Sequence, residues 1–274
     1  MRPYLAAFAA RFQLMLQYRA AALAGFVTQC WFGSVKIMVY AAFYGASATA
    51  ATQTSISLPQ VITYTWLSQG LLTLSPWSPD PDVGASVRSG GVSLDRLRPV
   101  DAYGLWFVRS AAWMISRAIP RMILLAAFAA VILPLVGLGD WALKPPPTAE
   151  AVGLFLVSLV LMILLSSAIM MLLNIIVAAT LNDRGANVLI TPLTIVLSGN
   201  LMPLALYPDS VRTFLLVQPF AGVLDIPAQI YVGSYAGPDA WVGLALQAFW
   251  TITLILVGHA WMERVMTRLE VQGG

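Results

Sequence analysis

The stretch 185-GANVLITPLTIVLSGNLMPLAL-206 decides how this chain folds. It runs 22 residues without a charge, and a helix needs about 20 to cross a bilayer. The sequence then stays apolar to residue 240, broken by Pro203, Pro208, Pro219, Pro227 and Pro238. Within it, 213–224 and 226–238 carry no charge, yet each is too short to span. An apolar, proline-punctuated tail on a spanning helix reads as a segment that dips into the membrane and returns. Lipid cannot satisfy free backbone groups, so such a segment survives only against protein or along a cavity. Cavities in multi-span proteins point to transport.

The composition places the rest of the chain in the same setting. It is 59% hydrophobic and only 10% charged, where a soluble domain has about 25% charged residues. No sizeable soluble domain fits. The net charge of +3 reports orientation in such a chain, and no nucleic-acid partner is expected from it. The one cysteine, Cys30, excludes an intrachain disulfide.

Six crossings follow from the apolar runs, at 21–46, 59–78, 107–138, 151–181, 185–206 and 241–262. Residues 2–19 read instead as an amphipathic helix lying in the membrane interface, with Leu5, Phe8, Phe12, Met15 and Leu16 on one face and Arg11 out of pattern. With the N-terminus inside, the inner segments hold Arg2, Arg11, Arg19, Arg88, Arg96, Arg98, Arg109, Arg117, Arg121, Arg184, Arg264 and Arg268. The outer loops then hold only Lys144 and Arg212. Positive charge collects on the cytoplasmic side, so both termini are expected inside and 207–238 outside.

Polar groups inside the runs are few. Lys36 falls in the middle of the first, as a path or interface cation or as a snorkelling side chain. Gln69, Asn174, Ser198 and Asn200 are further candidates for a path or a helix interface, where neutral polar side chains serve as packing glue. Catalytic machinery is not legible. Lys36 precedes Ile37 and Lys144 precedes Pro145, so neither lysine belongs to a phosphate-binding loop. The single histidine, His259, has no second histidine or cysteine nearby, so no metal site is expected.

The loop 80-DPDVGASVRSGGVSLDRLRP-99 carries more information. Val83 and Val87 are one helical turn apart, Gly90-Gly91 breaks that turn, and Leu94 and Leu97 start another that Pro99 ends. A loop that only anchors topology needs charge but no apolar knobs. Short amphipathic turns flanked by glycine and proline suit a docking element.

Two stretches then carry a resemblance: 91-GVSLDRLRPV-100, and 198-SGNLMPL-204 with Pro208, Gln218-Pro219-Phe220, Pro227 and Gly233 after it. In them the chain resembles permease subunits of ABC-2 type bacterial exporters, in particular the paired-permease group that includes viologen exporters. That resemblance implies an all-α, polytopic fold. It would be a single transmembrane domain over 1–274, with an elbow helix at 1–20, a cytoplasmic coupling helix at 82–99 and an extracellular re-entrant hairpin at 207–238 after the fifth span. It implies a coupling role for Arg88, Leu94, Arg96, Leu97, Arg98 and Pro99, and a hairpin shaped by Pro203, Pro208, Pro219, Phe220 and Pro227. It further implies residence in the bacterial inner membrane and pairing with a second permease, like or unlike, with unlike favoured. ATP and magnesium would bind a separate ATP-binding subunit, and this chain would hold no cofactor and hydrolyse nothing itself. Lys36 is a departure from the group's pattern. An ion-gradient-driven carrier and a membrane scaffold stand as alternatives; against the carrier, no Asp or Glu lies inside a confident crossing.

Overall fold

The computed structural model describes residues 2–17, 19–46, 55–92 and 99–268, and among these there is helix but no strand. Helix α1 spans Arg2–Leu16 and α2 spans Arg19–Ala46. Helix α3, Leu58–Leu71, opens at Ser57, whose backbone N–H donates to Gln60 Oε1 at 2.9 Å, and tightens into a 3-10 turn over Leu72–Leu74. Helix α4, Pro81–Arg88, is capped by Asp80 and ends before Gly90, whose φ of +73° only glycine adopts freely. Helix α5 starts at Ala102, capped by Asp101, and runs through a π-helical stretch at Phe128–Ile132 to Leu135. Helix α6 is Ala149–Thr180 and α7 is Arg184–Leu197. Then come α8, Asp209–Val217, a 3-10 turn over Pro219–Val223, α9, Asp225–Tyr231, and α10, Pro238–Arg268.

Four stretches are long and apolar enough to cross a membrane: Ala20–Ala46, Ala102–Leu135, Ala149–Thr180 and Pro238–Thr267. They differ in what surrounds them. The most apolar window of α6 is 56% buried, against 17% in the first stretch. Helix α6, 32 residues long, is therefore the axle of the bundle, with its burial concentrated in 165–178 and its terminal residues exposed. Helix α10 lies along it, α5 packs beside it, the 3-10 turn that ends α3 touches it, α3 itself packs on α5, and α2 closes the far side over α3 and α5.

The two remaining apolar runs are shorter than their composition indicated. Helix α3 and helix α7 each have 14 residues, about 21 Å at 1.5 Å per residue against a hydrocarbon core of about 30 Å. The run 185–206 is helical only to Leu197. Beyond it the chain stays apolar because it packs on protein: Pro203 and Leu204 are buried in a turn, not in a spanning helix. Hydropathy is blind to that distinction.

Helix α1 lies along α5. Its inward side is set by Arg11, which is 7% exposed, while Leu5 is 69% exposed. The arginine that broke the amphipathic pattern is thus the residue that faces the bundle. Val83 and Val87 of α4 also point inward, into a cluster with Trp106, Ile175 and Met262. They fill this chain's own core. Leu94, Arg96, Leu97 and Arg98 lie outside the described residues.

Candidate functional site

The segment after α7 doubles back into the bundle. Its deepest part, 221–224, is wholly buried. Val223 packs with Leu165 and Ile169, and Leu224 with Met162 and Met170, so the tip reaches the middle of α6. Gln247 of α10 and Ser158 of α6 grip it. The Gln247 amide donates to Gly222 O at 2.7 Å and to Ser158 O at 3.3 Å, while the Ser158 hydroxyl donates to Gln247 Oε1 at 2.8 Å. A Cβ on Gly222 would stand 2.7 Å from Leu165 Cδ2. Gln218 shapes the entry: its amide nitrogen donates to the carbonyls of Leu197 and Leu215, and its Oε1 accepts the Phe220 N–H at 2.7 Å. This accounts for Gln218-Pro219-Phe220. The other hairpin residues fall where the chain bends: buried Pro203 before the 3-10 turn, exposed Pro208 at the start of α8, and buried Pro227 in the first turn of α9.

A buried polar knot closes the hairpin. Asp225, wholly buried, accepts at Oδ1 from the Tyr64 hydroxyl at 2.8 Å, the Leu204 N–H at 3.0 Å and the Gln229 amide at 3.4 Å. The Tyr64 hydroxyl also lies 3.1 Å from Gly199 O. Gly199 has φ +86°, and a Cβ there would stand 2.3 Å from that hydroxyl oxygen. Lys36 joins from α2, its Nζ donating to Asn200 O at 2.5 Å and approaching Asn200 Oδ1 at 3.4 Å. The Ser198 hydroxyl donates to Thr194 O and accepts the Asn200 N–H at 3.3 Å. The stretch 198-SGN-200 is therefore a turn tied by side chains of α2 and α3 and backed by α9.

The candidate polar residues thus divide. Lys36, Ser198 and Asn200 come together in this knot. Gln69 is buried on α3. Asn174 belongs to a second cluster, at the α4 end of the bundle. There Asp80, 1% exposed, pairs with Arg11 at 3.1 Å. Its backbone N–H donates to Asn174 Oδ1 at 2.8 Å, and the Asn174 amide donates to Ser110 Oγ at 3.2 Å. Arg11 also meets Asp82. Burial pushes the Asp80 carboxyl up from its ordinary value, and the guanidiniums of Arg11 and Arg109 pull it back. At the other end of the loop, the Asp101 N–H donates to the Tyr4 hydroxyl at 3.2 Å, and Asp101 meets His259 of α10 at 3.3 Å. Arg88 is exposed and pairs with Asp183 at 3.7 Å, across from the loop joining α6 to α7; Pro99 is exposed. Both ends of the 80–101 loop are thus clamped to the bundle.

An apolar cavity of about 160 Å³ lies chiefly between α3 and α5, lined among others by Trp66, Met122, Leu125, Phe155 and Tyr231. An apolar void of ~150 Å³ takes one benzene-sized group. No cluster of histidine, cysteine and acidic residues able to hold a metal occurs among the described residues.

Asp225, Tyr64, Arg11 and Asp80 were not among the sequence candidates, although three of them left a trace. Asp225 is the one charge between Arg212 and Asp239, and an acid isolated in an apolar run is a functional-site signal. Asp80 before Pro81 is a helix-start signature. Arg11 stood out of the amphipathic pattern of 2–19, and Tyr64 left no trace.

Comparison with protein families matches residues 34–273 to the family described as ABC-2 family transporter protein. Comparisons with curated proteins and with solved structures gave no match. The match covers both the clamped loop and the hairpin, and the four long apolar helices make the chain a multi-pass membrane protein. The chain belongs to the ABC-2 family of transporter membrane proteins.

Proposed function

We propose that this chain is the permease subunit of an ATP-driven exporter in a bacterial inner membrane. It forms the path with a second permease and docks a separate ATP-binding subunit through 82–99. In this reading α3 and α7 complete six crossings, each shorter than a full span. The N-terminus, the C-terminus and the clamped loop face the cytoplasm, as the arginine asymmetry favours, α1 is the elbow helix, and the hairpin caps the path from outside. An unlike second subunit is favoured, since Lys36 and the knot it ties are specialised features.

One observation carries the proposal: α6 is keyed to both moving parts. Its Asn174 holds Asp80 at the start of the loop, and its Ser158 holds the Gln247 that grips hairpin residue Gly222. The two positions lie 16 residues apart on one unbroken helix, about 24 Å at 1.5 Å per residue. A push on the clamped loop therefore reaches the hairpin along a rigid rod. ATP-driven closure of the docked subunits would supply that push and shift the population between inward- and outward-facing forms. The apolar cavity beside α6 suits lipophilic cargo.

The test is association. The purified chain is expected to carry an ATP-binding subunit with it. Replacing Leu94 and Leu97 together by Asp should abolish that association while membrane insertion is retained. Retained association in the double variant would sink the docking claim.

A further inference from the structure

Asp225 is bonded in a lopsided way. Oδ1 takes three donors, from Tyr64, Leu204 and Gln229, whereas Oδ2 is buried with no hydrogen-bond partner among the described residues. A carboxylate has two equivalent oxygens and draws donors to both. One residue supplies the matching defect. Gln229, one turn along α9 and also wholly buried, points its amide nitrogen at Oδ1 while its Oε1 lacks a donor. Two buried acceptors without donors, on two groups already joined by one contact, are the two halves of a carboxylic acid–amide pair. A single hydrogen on Oδ2, directed at Gln229 Oε1, satisfies both. Unpaired buried polar atoms are costly, so this economy is a strong constraint.

We propose that Asp225 is a proton-binding site that holds the hairpin shut as a neutral acid, paired with Gln229. The other groups that face it agree. Tyr64 comes from α3 and Tyr235 from the turn after α9; both are phenols. Arg212 of α8 acts on it from a distance and is itself paired with Asp209 at 3.6 Å. From α2, the Lys36 ammonium is bound to Asn200. None of these cations hydrogen-bonds Asp225 among the described residues. Opening the hairpin would admit water to the acid. The O–H bond would then break, leaving the carboxylate on Asp225 and passing the proton to water, and closure would reverse this. The closed form binds the proton more tightly, so acidification favours the closed hairpin. This inference rests on the lid reading of the hairpin and is independent of docking at 82–99.

The experiment uses the full chain in lipid nanodiscs at neutral pH. Infrared difference spectra between wild type and Asp225→Asn are expected to show a protonated-carboxyl carbonyl band in the wild type alone. Asn reproduces the neutral acid, with Oδ1 accepting and Nδ2 donating to Gln229, so D225N should melt within about 2 °C of wild type. Asp225→Ala should melt well below both. A carboxylate band in place of the carbonyl band would overturn the proposal, as would D225N melting as low as D225A. Sodium-dependent melting of the wild type that D225N abolishes would assign the oxygens to a cation and overturn it too. Should D225A fail to fold, the infrared comparison still decides.

Discussion

Gly199→Ala is the most informative single perturbation of the knot. Three effects add. An L-residue at φ +86° leaves the favoured backbone regions, at about 1–2 kcal/mol. The new Cβ would stand 2.3 Å from Tyr64 Oη and 3.0 Å from Asp225 Oδ1, and crowding of that kind costs about 1–3 kcal/mol. Moving Tyr64 aside also stretches its bond to a wholly buried acid, worth about 1 kcal/mol or more. The sum is about 4 kcal/mol, or roughly a 10 °C fall in melting temperature. The second variant makes the reasoning specific. Tyr64→Phe removes the atom that the Cβ strikes, and alone costs about 1–2 kcal/mol for the lost hydrogen bond. Because the clash and the bond share one hydroxyl, the double variant should be less destabilised than the sum of the singles by about 1–2 kcal/mol. Thermal unfolding in detergent, followed by tryptophan fluorescence, reads all four corners of the cycle. Additivity within about 0.5 kcal/mol, or a Gly199→Ala protein that melts like wild type, would refute the geometry.

Two further outcomes follow from other contacts. Asp80→Ala removes the buried partner of Arg11, 7% exposed, and leaves it the half-exposed Asp82, so the loss should fall below the roughly 3–5 kcal/mol of a fully stranded buried charge, at about 2 kcal/mol. Asp80→Asn keeps the side chain's size and its cap of α4 but removes its charge, so it should lose most of the same stability; an Asn variant that melts like wild type would deny the ion pair its role. Gln218→Leu strands the Leu197 and Leu215 carbonyls and the Phe220 N–H. Since Gln218 is only part-buried, water can replace some of these bonds, and a loss of about 1–2 kcal/mol is expected. It should appear as faster proteolysis within 207–224 before global unfolding, and unchanged cleavage there would count against Gln218 as the pin of the hairpin entry.

What could be read before the structure depended on range. Prolines and apolar runs act locally, so the dip after α7 and the break at Gly90 were visible. The end of α7 at Leu197 was not, because residues covered by protein and residues covered by lipid are equally apolar. The charged side chains were harder still. Arg11 finds Asp80 at a distance of 69 positions, and Lys36 finds Asn200 at 164. A helical pattern marks Arg11 as misplaced, and only the fold shows that α1 is turned so that this residue faces inward. Lys36 binds mainly a backbone carbonyl, which no residue type in the sequence advertises. Asp225 was visible as a lone charge, but its weight came from Tyr64, Leu204 and Gln229 converging on one oxygen.

The central claim is that the hairpin is an outer lid and the 82–99 loop an inner handle, joined by α6. Paired cysteine labelling tests it most directly. In a Cys30→Ala background, a single cysteine is placed either at Ser210, exposed on α8, or at Leu97, and intact cells are treated with an impermeant thiol reagent. Position 210 should label at once, and position 97 only after the membrane is permeabilised. The reverse pattern, or labelling of both positions from one side, would contradict the account.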